Sequence, residues 1–153
     1  MAIVVDRHYQ AIAALNDPDD YRPNSELALV CDPAAPAGNF VRGLTLLFEN
    51  CAPGDRIPLH THPHDEVIVI DEGTAEVVLG AERRAVGAGT VVFIPAGTPH
   101  GTRNTGSEVL RLHAIFPSAE LELQYLERNP APGTEDDPPQ PPLTFDLRAL
   151  AGG

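Results

Sequence analysis

The sequence is short of positive charge. Lysine and arginine together number 10 against 22 aspartates and glutamates, and the net charge at pH 7 is −12. An acidic protein repels the phosphate backbone of DNA and RNA. Because no helix-turn-helix pattern is present either, we expect no nucleic-acid partner.

Long hydrophobic runs are also absent. No stretch reaches the 18 or more uncharged apolar residues that a membrane-spanning helix needs. The first ten residues, MAIVVDRHYQ, lack the basic start, apolar core and small-residue cleavage site of a secretory signal. We therefore expect no membrane partner and a cytoplasmic location.

Cysteine is scarce, with Cys31 and Cys51 as the two examples in 153 residues. Their separation is not the C-x2-4-C spacing of a metal-binding pair. We expect two free and mostly buried thiols in a reducing compartment.

Short apolar or alternating runs fill the middle of the chain, from Glu26 to Pro117. Examples are EVIVIDEG, AEVVLG and TVVFIP, which are separated by glycine, proline, asparagine and aspartate. This texture predicts an all-β sandwich or barrel. We divide the chain into an N-terminal arm at 1–25, a β-barrel at 26–117 and a C-terminal segment with a proline-rich tail at 118–153.

The two flanking segments are harder to interpret. RHYQAIAALN predicts a short helix, whereas SAELELQYLERN fits a strand or a helix equally well. Residues 129–142 are rich in proline and predict an extended arm. The last ten residues, TFDLRALAGG, carry apolar side chains that have no local core to enter. They predict docking on the barrel or on a second subunit, and we expect a homodimer.

Three of the six histidines lie in the heptapeptide HTHPHDE, residues 60–66. On a strand, His60 and His62 face the same side, and Pro63 then turns the chain. Glu66 would open the next antiparallel strand beside them, and His100 follows another strand end. Two imidazoles and one carboxylate on one side of an ion suit ferrous iron and related metals.

The spacing of these residues resembles both motifs of the cupin superfamily. The first motif reads Gly54-x5-His60-x-His62-x3-Glu66-x6-Gly73. The second reads Gly89-x5-Pro95-x-Gly97-x2-His100-x3-Asn104. The resemblance implies a small antiparallel β-barrel of jelly-roll topology, also called a double-stranded β-helix. It also implies one internal divalent metal ion (Fe, Mn, Ni, Co or Zn) held by His60, His62, Glu66 and His100.

Neighbouring polar residues allow more than one interpretation. We expect His64 to lie outside the first coordination shell, because Pro63 breaks the strand alternation before it. Asn104 is expected to cap a turn. In EVLRLHAIF, Arg111 and His113 share one face and are the candidate catalytic residues, as substrate anchor and proton carrier. The alternative is that this face is the outer or interface side of the sheet.

Together these features predict a metal-dependent enzyme that acts on a small organic molecule bearing carboxylate, keto or enol oxygens. A dioxygenase-like reaction with Fe(II) is the leading interpretation, and an isomerase, decarboxylase or cyclase reaction fits the same site. The alternative from a different class is a non-catalytic cupin that binds or senses a small ligand.

Overall fold

Two antiparallel β-sheets build the molecule. The computed structural model describes residues 7–30 and 43–146. Its strands, in chain order, are β1 (Gln10–Ala11), β2 (Glu26–Val30), β3 (Thr45–Cys51), β4 (Arg56–Thr61), β5 (Glu66–Glu72), β6 (Thr74–Leu79), β7 (Glu82–Gly87), β8 (Val91–Ile94), β9 (His100–Asn104), β10 (Leu110–Phe116), β11 (Glu120–Tyr125) and β12 (Leu143–Asp146). One 3-10 helix, Ile12–Leu15, lies between β1 and β2.

Each sheet has six strands. The first sheet runs β1-β2-β3-β10-β5-β8 and the second runs β12-β11-β4-β9-β6-β7. Strands that are distant in sequence, such as β3 and β10, are therefore neighbours in the sheet. This is a jelly-roll arrangement, and the prediction of an all-β fold is confirmed.

The core lies between the two sheets because their strands alternate in burial. In β5 and β10 every second side chain is buried, and Ile68, Ile70 and Leu112 are among them. Ala75 and Val77 of β6 meet them from the second sheet. The period of two in the sequence thus corresponds to one buried face on each sheet.

Gly73 makes the tight turn that carries the chain from the first sheet to the second. Its φ is +91°, which side chains rarely adopt. A Cβ at this position would also lie 3.2 Å from the Cα of Leu110. Both constraints favour glycine here, and they place β5 and β6 in different sheets.

Both flanking segments join the sheets. Strand β1 pairs with β2, and the predicted helix is present as the short 3-10 turn. The ambiguous segment SAELELQYLERN forms strand β11, which pairs with β4 on one side and β12 on the other. An isolated parallel bridge between Asp20 and Asn129 connects the N-terminal and C-terminal segments.

Several predictions from the sequence concern the chain ends and the cysteines. Cys51 is free and buried, as expected. Cys31 and residues 147–153 lie outside the described residues. Among the described residues, no helix has the length and apolar character needed to cross a bilayer.

Candidate metal centre

The four predicted ligands meet at one point between the sheets. Their ligand atoms all lie within 4.8 Å of one another, and all four residues are buried. His60 comes from β4, His62 follows directly after that strand, Glu66 begins β5 and His100 begins β9. His60 and His100 are directly paired across β4 and β9, so the sheet register brings them together.

All three histidines are oriented by the same kind of contact. The Nδ1 atoms of His60, His62 and His100 each lie 2.7–2.8 Å from a backbone carbonyl oxygen, that of residue 58, 64 or 98 respectively. A carbonyl oxygen only accepts hydrogen bonds, so each Nδ1 carries the proton. When such a ring is neutral, its Nε2 atom has a free lone pair, and these atoms lie together at the centre of the cluster.

The distances from Glu66 to the ring nitrogens of His62 and His100 show whether this arrangement fits a cation. Its Oε2 lies 2.8 Å from Nε2 of His62 and 2.9 Å from Nε2 of His100. The His100 nitrogen is fully buried and has no partner with hydrogen-bond geometry. Lone pairs of nitrogen and oxygen facing each other at this distance repel unless a proton or a metal ion lies between them. The donor set therefore fits a divalent cation.

Burial and neighbouring groups set the charges of this cluster. Burial, together with the nearby His100, lowers the pKa of His60 to about 3, so its ring is neutral at physiological pH. Burial alone would raise the pKa of Glu66, but the close approach of His100 and His62 outweighs this effect and lowers the pKa to about 2. At neutral pH the site thus offers a neutral imidazole and an ionised carboxylate, the protonation states that metal binding requires.

A cavity of about 310 Å³ extends from the cluster. His60, Glu66 and His100 line one part of it. Most of the remaining wall is apolar and includes Leu47 and Phe116. This volume is at the lower end of the range for small-molecule sites. The arrangement can hold a ligand that is largely apolar and that presents oxygen atoms to a metal.

Segments near both chain ends line this cavity. Residues of the helical turn and the segment after it contribute to the wall, as do β11, Gln140 and the start of β12. Tyr125 lies near His60, with ring centroids 6.4 Å apart, and its hydroxyl donates to Asp17 at 2.7 Å. The arms that flank the motifs are therefore part of the binding chamber.

His64 and Asn104 take the positions expected from the sequence. The side chain of His64 is not in the cluster, and its carbonyl oxygen orients His62. Asn104 is buried and caps the turn after β9 through its bonds to Gly106 and Glu108.

Arg111 and His113, the candidate catalytic residues, are not brought to the histidine cluster. They lie on the face of β10 opposite to the buried Leu112 and Ala114, outside the cavity wall. Arg111 pairs with Glu72, and Nδ1 of His113 lies 2.8 Å from Asp71. The alternation within β10 explains this placement: the apolar side chains fill the core, and the polar pair is left on the outside. Of the two interpretations, the outer face is the one that the structure shows.

Sequence reasoning missed several polar residues of the cavity wall, among them Arg22, Glu49 and Tyr125. A signal was available for Glu49, since its alternation with Leu47 and Cys51 in TLLFENC predicts a carboxylate on the buried face of β3. No comparable signal identifies Arg22 or Tyr125, because their partners, Glu49 and Asp17, are distant in the sequence.

Comparisons with known proteins agree with this architecture. Residues 47–116 match the family model described as Cupin domain. A segment of 52 residues is 44% identical to quercetin 2,3-dioxygenase of Bacillus subtilis, and it spans 33% of this chain and 15% of that enzyme. Another of 59 residues is 37% identical to an uncharacterized protein of Streptomyces coelicolor, over 39% of this chain and 55% of that protein. The chain thus matches only part of the length of these relatives.

Solved structures share the fold at low sequence identity. The polyketide cyclase RemF from Streptomyces resistomycificus has a TM-score of 0.68 at 21% identity, covering 88% of this chain and 91% of RemF. Oxalate decarboxylase of Bacillus subtilis has a TM-score of 0.58 at 21% identity, over 73% of this chain and 30% of the enzyme. The matched family model, the two-sheet fold and the intact motifs lead to one conclusion, that residues 47–116 are similar to a Cupin domain in sequence and in fold.

Proposed function

We propose that this protein is a metal-dependent enzyme that acts on a small, largely apolar molecule bearing carboxylate, keto or enol oxygens. His60, His62, Glu66 and His100 would hold one divalent ion. The single observation that carries the proposal is the convergence of three Nε2 lone pairs and one carboxylate at the wall of an apolar cavity.

The charge of the site favours an oxygen-bearing ligand. Three neutral imidazoles and one carboxylate leave a divalent ion with a net charge of about +1. A bound divalent ion supplies Lewis-acid polarisation of ligand oxygens. Leu47, Phe116 and the other apolar side chains exclude water from the remainder of the ligand and orient it toward the cluster.

A dioxygenase-like reaction with Fe(II) is our leading assignment within this class. The His and carboxylate donor set suits that ion, and the apolar chamber suits a substrate with a hydrocarbon or ring framework. The matched segment of quercetin 2,3-dioxygenase supports it. A cyclisation is the second candidate, because segments near both chain ends line the cavity and the structural likeness to the polyketide cyclase RemF extends over most of both chains.

Metal content tests the site. Untagged protein purified without chelators should contain about one ion per chain by elemental analysis. His100→Ala should lose most of that metal, whereas the matched variant His64→Ala should retain it, because the His64 side chain is not part of the cluster. Wild-type protein that binds no ion under any loading condition contradicts the proposal, as does loss of metal in His64→Ala alone.

Turnover tests the enzymatic part. Protein loaded with Fe(II), Mn(II), Co(II), Ni(II) or Zn(II) should convert at least one keto-enol compound, with oxygen consumption distinguishing a dioxygenase from a cyclase. Saturable binding with no conversion under any of these metals identifies a ligand-binding cupin instead.

We also propose that the chain forms a homodimer through the outer face of the first sheet. Val91 and Phe93 of β8 are 47% and 69% exposed on that face. Val67, Val69 and Ile115 continue the apolar surface on β5 and β10. A two-fold arrangement would let this surface cover itself.

A further inference from the structure

We propose that the buried pair Arg22 and Glu49 is a second polar anchor of the cavity, which binds a hydroxyl group of the substrate that is not one of the metal-binding oxygens. This inference rests on the proposed function, because it assumes that the substrate oxygens lie at the histidine cluster. It adds a specificity-determining site outside both cupin motifs.

The pair lies in the same chamber as the metal cluster. Glu49 faces inward from β3, where its strand neighbours are Leu27 of β2 and Leu112 of β10. Arg22 reaches it from the segment between the 3-10 helix and β2. Both side chains line the cavity, although each is only 3–4% exposed.

The hydrogen bonds of the pair leave an acceptor available. Arg22 donates from Nε and from one terminal nitrogen to the two oxygens of Asp20, each at 2.7 Å. Its other terminal nitrogen donates to Oε1 of Glu49. Among the described residues, no donor reaches Oε2 of Glu49. A ligand hydroxyl that donates to this oxygen would complete the set.

The charges select the type of ligand group. One guanidinium faces two carboxylates, so the cluster of Arg22, Asp20 and Glu49 carries an excess negative charge. Burial raises the pKa of Glu49, and the nearby Glu66 carboxylate adds to this effect. A neutral hydrogen-bond donor is stabilised beside such a group, whereas a second carboxylate on the substrate is repelled. The carboxylates of Asp20 and Glu49 therefore disfavour substrates that carry two carboxylate groups.

Stability alone does not account for a carboxylate at this position. Burying an ion pair requires removing both charges from water, and a well-packed apolar side chain is often as stable or more stable. Leucines on both neighbouring strands show that the site is suited to an apolar residue. A carboxylate on a cavity wall of this kind is expected where a ligand is recognised.

The substrate class that fits both groups is a mainly apolar compound with metal-binding oxygens and a separate hydroxyl. Suitable probes are 3-hydroxyflavone and its derivatives with one additional hydroxyl at position 7 or 4′. The corresponding methoxy compounds are matched controls, because a methoxy group cannot donate a hydrogen bond. Calorimetric titration of zinc-loaded protein measures their affinities without redox turnover.

At least one additional hydroxyl should tighten binding about tenfold or more over 3-hydroxyflavone, as expected for a hydrogen bond to a charged group. Its methoxy counterpart should show no gain. Glu49→Gln should reduce the gain to less than about threefold and leave the affinity for 3-hydroxyflavone nearly unchanged. The exposed-site control Glu122→Gln should behave as wild type.

Two results would overturn the inference. One is that no hydroxyl derivative binds to the wild-type protein more tightly than its methoxy counterpart. This result would exclude the anchor even if Glu49→Gln fails to fold. The other is a folded Glu49→Gln variant that keeps the full gain.

Metal-free protein separates this inference from the proposed function. Flavone and its 7- and 4′-hydroxy derivatives lack the 3-hydroxyl group. Their relative affinities for the metal-free protein therefore report on Glu49 without the metal. A hydroxy derivative that binds more tightly than flavone supports the inference. If zinc does not improve the binding of 3-hydroxyflavone, the proposed function fails while the anchor is still measurable.

Discussion

At the scale of single residues, Asn104 holds three parts of the chain together. Its Nδ2 donates to the carbonyl oxygens of Cys51 at 2.9 Å and Glu108 at 2.8 Å. Its Oδ1 accepts from the backbone N–H of Gly106 at 2.9 Å. The side chain is buried, so water cannot replace these bonds when it is removed. Asn104 therefore fixes the turn after β9 against the end of β3.

We predict that Asn104→Ala lowers the free energy of unfolding by about 2–4 kcal/mol, because it leaves buried carbonyl and N–H groups without partners. Urea unfolding followed by circular dichroism measures the change. Asn50→Ala is the matched control, since it removes one partly buried bond to Glu26 and should lower stability by less than about 1 kcal/mol. Equal effects of the two variants would contradict this role of Asn104.

Residues with local constraints were the ones that sequence reasoning located well. The spacing around His60 and His62 is set within one strand and one turn, so it was readable without knowledge of the fold. The alternation of Arg111 and His113 gave their shared face but not which face is inside. The partnership of Arg22 with Glu49 spans 27 positions and depends on how the N-terminal segment crosses the sheet. No local pattern encodes that crossing.

At the scale of elements, strand β8 combines an open edge with an apolar outer face. It terminates the first sheet, and Phe93 is the most exposed large apolar side chain among the described residues. Neighbouring strands continue the same face through Val67 and Ile115. Exposed apolar surface of this kind marks association sites.

We predict that light scattering at micromolar concentration gives twice the chain mass of 16.3 kDa for wild type. Phe93→Asp should shift the particle to the monomer mass, because it places a charge in the buried centre of the interface. Leu126→Asp, at a residue 48% exposed after β11, is the control and should stay dimeric. A wild-type monomer, or a dimer unchanged by Phe93→Asp, would rule out this interface.

Element type was predictable where the apolar pattern had one period. The runs that form β5, β6 and β8 are short apolar or alternating segments, and their sequences were sufficient to predict strands. The apolar pattern of SAELELQYLERN fits both the strand period of two residues and the helix period of 3.6 residues. Its pairing with β4 and β12 shows that it is a strand. Strand β4 is some 60 positions away in the sequence, so the segment alone could not resolve the ambiguity.

At the scale of the whole molecule, the buried ionisable groups tie stability to pH. Unfolded His60 takes up a proton below its ordinary pKa of 6.5, whereas folded His60 does so only near 3. Stability therefore falls as pH decreases through this window. Glu66, with its pKa lowered from 4.5 to about 2, adds a further loss below pH 4.5. Asp20 and Glu49 act in the opposite sense, because burial raises the pKa of both.

We predict that metal-free wild type loses stability faster than metal-free His60→Gln as the pH is lowered from 6.5 toward 4. The difference in slope should approach about 1.4 kcal/mol per pH unit, the value for one proton, since both proteins share the other groups. Urea unfolding at several pH values measures it. Parallel profiles would show that His60 is not held neutral by burial. Metal should stabilise wild type above about pH 6, and this gain should fade as the imidazoles become protonated.

The single bridge between Asp20 and Asn129 has a wider consequence. It joins the N-terminal and C-terminal segments that line the cavity, whereas the four candidate metal ligands all come from residues 60–100. The candidate ligands and these lining segments are thus encoded by different stretches of the gene. Recombination or drift at the ends can reshape what enters the chamber without moving an imidazole. Related chains that keep the four candidate ligands are therefore expected to differ in the molecules that they bind when substitutions fall in the segments around Asp20 and Asn129.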